Sequence, residues 1–161
     1  MNTRASLEKI VVNAGIGRLS QHGEFEKKAL PQISDALKLI TGQAPEARRA
    51  RQSIAGFKVR EGQIIGLRAT VRRQRMVDFL ERLITIVLPR VRDFRGIKSA
   101  SVDGRGNLTV GIRDYTVFPE INPETAVVQF GLQITIVPRR PVRAAEAAEF
   151  YRALGVPMQK T

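Results

Sequence analysis

The chain has 161 residues, with 27 Lys and Arg against 15 Asp and Glu, a net charge of +12, one His and no Cys. That length suits one domain with a real core, and its ordinary hydrophobic fraction of 43% means the basicity is layered onto a folded unit and calls for a phosphate-rich partner. Lacking Cys, and with His22 its only histidine, the chain excludes disulfides, Cys-ligated zinc, thiol catalysis and a His-rich metal site; no cofactor is expected.

The N-terminal apolar run is too short for a signal-peptide core, and nothing approaches the roughly 18 apolar residues of a membrane span, so a soluble intracellular protein with no membrane partner is expected. Leu7 to Asn13 predicts a strand with Ile10, Val12 and Ala14 on one face and Lys9, Val11 and Asn13 on the other. Gly15-Ile-Gly17 ends it, and Ser20 occupies the place where a dinucleotide fingerprint needs its third glycine. His22 belongs to this turn as a solvated loop histidine. Glu24 to Ile40 predicts a helix with Leu30, Ile33, Leu37 and Ile40 on one face, kinked or restarted at Pro31 and stopped by Gly42. Gln43-Ala-Pro45 is an extended exit.

The stretch from Arg48 to Arg75 sets Arg48, Arg49, Arg51, Lys58, Arg60, Arg68, Arg72, Arg73 and Arg75 against Glu61 as its single acid. Within it, Ser53 to Gly62 predicts a projecting loop or loose hairpin tip. Ile65 to Arg72 alternates as a strand: Ile65, Leu67, Ala69 and Val71 inward, Gly66, Arg68, Thr70 and Arg72 outward. A second helix is predicted over Arg75 to Leu88, ended by Pro89, and Arg90 to Gly96 is a further basic run. Asp103 to Asn107 is a tight turn feeding a strand with Leu108, Val110 and Ile112 inward. Tyr115 to Pro123 is irregular. Val128 to Ile136 predicts the last strand, and Arg143 to Leu154 a final helix packed through Ala144, Ala147, Ala148 and Tyr151.

At least four strands apolar on one side only, with helices to cover that side, predict a single α+β domain over residues 1–161. It is a two-layer sandwich built on a mainly antiparallel sheet. The open face would carry Lys9, Asn13, Arg68, Thr70, Arg72, Thr109, Arg113, Gln129, Gln133 and Thr135, groups that bond phosphate and ribose oxygens. With no aromatic among them to stack bases, the face suits the backbone and shape of folded RNA. The bland alternative is a merely solvated sheet face. An enzyme acting through Asp93, Asp103, Asp114 and Glu120 is disfavoured, because these acids stand singly with no His or Cys beside them. No small-molecule substrate is indicated.

Six motifs then occur in order: Ile10-Val-Val-Asn-Ala-Gly-Ile-Gly17, Thr41-Gly-Gln43, Ser53 to Gly62, Arg82 to Gly96, Ser101-Val-Asp-Gly-Arg-Gly-Asn107 and Phe118-Pro-Glu-Ile121. They span nearly the whole chain, which resembles bacterial-type large ribosomal subunit protein five, the family that binds 5S rRNA in the central protuberance. The resemblance implies a non-catalytic ribosomal protein, cytoplasmic or in an organellar ribosome. Its partners would be 5S rRNA, large-subunit rRNA, P-site tRNA and a head protein of the small subunit across an intersubunit bridge. Carried over by motif, Asn13, Gln43 and Thr70 match the family's 5S rRNA contacts. Lys9, Arg48, Arg49, Arg51, Arg68, Arg72 and Arg73 join them as expected rRNA-binding residues on charge and position. The loop from Gln52 to Gly62, with Ser53, Phe57, Lys58 and Arg60, matches the segment that reaches tRNA, while Asp103 to Asn107 and Pro119 to Val128 lie nearer the bridge surface. The family's long opening helix has no counterpart here, where the first strand is expected close to Met1.

Overall fold

The structure, a computed structural model, describes residues 2–160. A one-turn helix α1 (Thr3–Ser6), capped by the Asn2 side chain accepting from the Ala5 amide at 3.3 Å, opens into β1 (Leu7–Gly15). A π turn over Phe25–Ala29 then continues as α2 (Leu30–Thr41). Pro31 sits in the first turn of α2, into which the π turn runs without a break, so the helical path continues through the proline and does not restart there. Gly42 stops the helix at φ 71° as expected.

A short strand β2 (Glu46–Arg49) follows, then β3 (Ile64–Val71). Helix α3 (Arg73–Arg82), a π turn over Leu83–Val87 and α4 (Leu88–Arg90) form one uninterrupted helical path. Pro89 therefore does not end the helix, contrary to expectation. A proline ring collides with the carbonyl four residues back in a regular α-helix, and the wider π turn immediately before Pro89 accommodates it. The chain closes with β4 (Leu108–Ile112), β5 (Leu132–Pro138) and α5 (Ala144–Ala153).

The five strands form one sheet in the order β2-β3-β1-β5-β4, every neighbouring pair antiparallel. The side chains of Ile10, Val12, Leu67, Leu108, Val110, Ile134 and Ile136 enter the same buried cluster as Ile33, Leu37 and Ile40 of α2 and Met76, Phe79 and Leu80 of α3. This is the α+β architecture expected, with the helices on one face. One predicted inward residue fails: Ile65 stays half-buried and outside the core, while Ile64 is buried in its place. The cause is a register shift, because Arg48 faces Gly66 and Arg49 faces Ile64, which leaves Ile65 as the extra residue of a bulge. A matching shift at Glu8 turns Leu7 inward although Lys9 faces outward.

Two further expectations are corrected. The last strand begins at Leu132, not Val128, although Phe130 is still buried through stacking on Tyr115, ring centroids 4.0 Å apart. In α5, Ala147 and Tyr151 are buried and Ala148 is half-buried as predicted, but Ala144 in the first turn is exposed.

Tyr151 locks α5 to the sheet. Its hydroxyl is aimed at Gly106 O at 2.5 Å and Ile136 O at 3.3 Å, one proton shared between both carbonyls. Gly106 sits at φ 86° against Val142, where an added Cβ would meet backbone at 2.8 Å, so only glycine fits. Burial, with the Asp103 carboxylate adding to it, pushes the Tyr151 phenol well above its ordinary value. Below about pH 10 both folded and unfolded chains keep this proton; above it the unfolded chain ionises first, so stability is lost as pH rises. Tyr151→Phe should lower stability by about 1–2 kcal/mol at neutral pH and show a smaller further loss above about pH 10 than the parent protein. Urea unfolding at pH 7 and pH 11 measures both.

Candidate nucleic-acid interface

The sheet face turned away from the helices is set out by register. Asn13 lies opposite Arg68 on one side and Gln133 on the other, Arg68 lies opposite Glu46, and Gln133 opposite Gly111. A row across all five strands therefore reads Glu46, Arg68, Asn13, Gln133, Gly111. The next row reads Thr70, Val11, Thr135, Thr109, with the last two hydroxyls 3.4 Å apart. Lys9, facing Val137, comes after it. Lys9, Asn13, Arg68 and Thr70 are each half-buried, rooted in the sheet yet reachable from outside.

Two carboxylates hold the cations of this face. Glu46 accepts from Arg68 at 3.1 Å and from Arg48 at 3.4 Å; Glu8 lies 3.5 Å from Arg72 and 3.9 Å from Lys9. The hydrogen bond and the charge of Arg68, with Arg48 assisting, pull the Glu46 carboxyl below its ordinary value. Exposed pairs of this kind contribute little stability, so their effect is to orient guanidinium groups. Arg68 also keeps its Nε shut away from water with no hydrogen-bond partner.

The expected site residues do not all meet here. Arg48 shares the face with Arg68 through its pairing with Gly66. Gln43 lies just beyond α2, its amide donating to Thr41 Oγ1 at 3.2 Å, while Arg72 and Arg73 form the exposed turn from β3 into α3, Arg73 at φ 57°. Arg49 belongs elsewhere: its guanidinium donates to Gly62 O at 2.9 Å and braces the base of the next loop, where exposed Arg51 also stands. Arg113 follows β4 and is exposed, and Gln129 precedes β5, so it lies off the sheet face predicted for it.

That loop is a small hairpin. Ile54 and Val59 exchange backbone hydrogen bonds of 2.9 and 3.2 Å around a tight turn at Ala55–Phe57, and Lys58 closes it at φ 52°. Ser53, Lys58 and Arg60 are exposed; of Phe57 only the backbone is described. Ser53 Oγ accepts from the Glu61 amide at 2.9 Å, Gln63 accepts from the Arg60 amide at 3.0 Å, and Gln63 in turn donates to Ser20 Oγ at 2.5 Å. Gln63 and Ser20 thus fix the hairpin to the turn after β1. The sequence pointed to neither residue for this role, since two isolated polar residues 43 positions apart carry no period. Glu46 and Glu8 escaped notice for the same reason.

Three of the four isolated acids, Asp103, Asp114 and Glu120, are engaged in hydrogen bonds. Asp103 accepts from the Arg105 and Asn107 amides, Asp114 from the Thr116 amide, and Glu120 from Arg82 at 2.5 Å. Among the described residues no cluster of metal-binding side chains gathers, and no helix is long and apolar enough to cross a membrane.

Residues 3–60 match the profile of ribosomal protein L5, and residues 64–158 match the profile for the C-terminus of the same ribosomal family. The chain is 48% identical over 154 residues to large ribosomal subunit protein uL5 of Rubrobacter xylanophilus, covering 96% of this chain and 83% of the relative. It is 46% identical to the uL5 of Fusobacterium nucleatum, covering 96% and 81%, and 44% identical to that of Syntrophomonas wolfei, covering 95% and 83%.

Because the Glu46 carboxyl is depressed by its arginines, it should stay ionised to a lower pH in the folded protein, and its small stabilising effect should fade as pH falls through that lowered value. A carbon-detected NMR titration should find its midpoint below that of an ordinary glutamate. Arg68→Ala should move it back up.

Proposed function

The chain belongs to the ribosomal protein L5 family, and from that premise we propose that it grips 5S rRNA through the open face of its sheet and so helps attach it in the central protuberance. It is a structural component of the large ribosomal subunit, not an enzyme, and its place is the cytoplasmic ribosome. The observation that carries the proposal is the row through Arg68, Asn13 and Gln133, flanked by Thr70, Thr135 and Thr109, on the face opposite the helices. Guanidinium, carboxamide and hydroxyl groups there offer donors to phosphate and ribose oxygens. Without aromatic side chains in those rows, the face fits the backbone of helical RNA better than splayed bases.

In this assignment Asn13, Thr70 and Gln43 make the specific contacts with 5S rRNA, and Lys9, Arg48, Arg68, Arg72 and Arg73 meet phosphates. The braced hairpin, with Ser53, Phe57, Lys58 and Arg60, reaches P-site tRNA; Arg49 supports its base, and exposed Arg51 beside it meets rRNA phosphate. The turns at Asp103 to Asn107 and Pro119 to Val128 face the head protein of the small subunit. The Arg68 side chain is 38% exposed, so its guanidinium, aimed by Glu46, can meet a phosphate oxygen from outside.

Purified protein should bind 5S rRNA more tightly than an unrelated RNA of equal length. Asn13→Ala and Thr70→Ala should each weaken that binding about five- to tenfold, as loss of one hydrogen bond predicts. Arg68→Ala should in addition lower the slope of log affinity against log salt by about one. The double substitution of Lys58 and Arg60 by Ala should leave 5S rRNA binding unchanged and weaken P-site tRNA retention in reassembled ribosomes. Equal losses of 5S rRNA affinity from the sheet and hairpin variants, or binding indifferent to salt, would overturn the assignment.

A further inference from the structure

At the end of the sheet where β1 runs out, a cleft of about 940 Å³ opens between the Gly15–Gly17 turn, the hairpin and the segment before β5. Its size lies within the roughly 300–1,000 Å³ typical of sites for small ligands. Leu19, Ile54, Val59 and Ile65 form apolar walls. Ile54 is 48% exposed, one of few large apolar side chains left so among the described residues, and Ile65 reaches the wall only because the bulge in β3 removes it from the core. Three carboxamides, Gln21, Gln52 and Gln129, and two cations, Arg18 and Arg51, stand at the same cleft. Among the described residues no acidic side chain lines it.

We infer that this cleft receives an unpaired nucleobase of RNA. Apolar walls match the two faces of a base, carboxamides pair with base edges by donating and accepting together, and a guanidinium can stack on the base or hold the adjoining phosphate. The charge is complementary to a nucleotide and unsuited to a basic peptide. The position supports the same occupant: Gly15 follows Asn13 on the same side of β1 by strand alternation, so an RNA lying along the open face leads directly to the cleft. The sheet rows read backbone, and the cleft reads one base at their end. This inference rests on the RNA-binding function above and adds to it a site with its own signature.

The test uses the full chain and two probes, an adenine hexaribonucleotide and the same hexamer with abasic riboses, measured by fluorescence anisotropy. The base-bearing probe should bind about tenfold tighter or more. Gly15→Phe fills the cleft mouth, where an added Cβ meets nothing within 4 Å. The double variant Gln52→Ala, Gln129→Ala removes two exposed carboxamides without touching the core. Both should reduce the ratio to less than about twofold while leaving affinity for a blunt RNA duplex unchanged. Asn13→Ala and Thr70→Ala should keep the ratio while losing 5S rRNA affinity, so the cleft and the sheet face fail or succeed separately. Equal binding of the two probes by the parent protein, or a ratio that survives both variants, overturns the inference. So does a concentration-dependent dimer abolished by Gly15→Phe, which would assign the cleft to a second copy of the chain.

Discussion

Strand β1 is paired on both edges, to β3 and to β5, and the rest of the molecule depends on that double pairing. A slip of one residue would exchange Ile10 and Val12 for Val11 and Asn13 across the sheet, burying a carboxamide and exposing two side chains that are now fully enclosed. Each buried aliphatic side chain is worth about 1.5–3 kcal/mol, so the loss from several together exceeds any gain on the polar side. Register is therefore fixed by the core. The placement of Arg68 and Gln133 beside Asn13 follows as a geometric consequence.

The two bulges show what happens where this constraint relaxes. At Glu8 the extra residue lets Leu7 enter the core while freeing a carboxylate that sits near both Arg72 and Lys9. At Ile65 it puts an aliphatic side chain into the wall of an open cleft. Both irregularities lie close to strand ends, where fewer neighbours enforce alternation, and both re-aim a side chain toward a surface, as bulges commonly do.

On the helical side, the π turns at Phe25–Ala29 and Leu83–Val87 adjoin the two prolines, Pro31 and Pro89. Widened turns let apolar stripes continue past residues that would interrupt a regular helix. Arg82 then ties the layer together, reaching Ile40 O at 3.2 Å and Glu120, with its guanidinium 6.0 Å from the Phe79 ring. The helical layer and the Tyr151 closure thus present the sheet as a stiff platform, and the hairpin is held to it through Gln63 and Ser20. Such bracing leaves little ordering to be done when a partner docks on this face.

Period-2 and period-3.6 patterns were enough to identify the long elements, the one-sided sheet and the outward position of Asn13, Arg68 and Thr70, since alternation in a paired strand leaves no other choice. Net charge alone required an anionic partner. Strand β2 was not legible, because Glu46-Ala-Arg-Arg49 is short and carries no apolar period. The bulges were invisible, being properties of pairing between strands. The ion pairs of Glu46 and Glu8, the split of Arg49 from Arg48, and the joint location of Gln52, Ile65 and Gln129 at one cleft arise from contacts between residues distant in sequence. The chain by itself determined which faces are buried, because burial follows a local repeat. Only the tertiary structure decided which polar groups meet on the exposed side, because that depends on register and on where each strand stops.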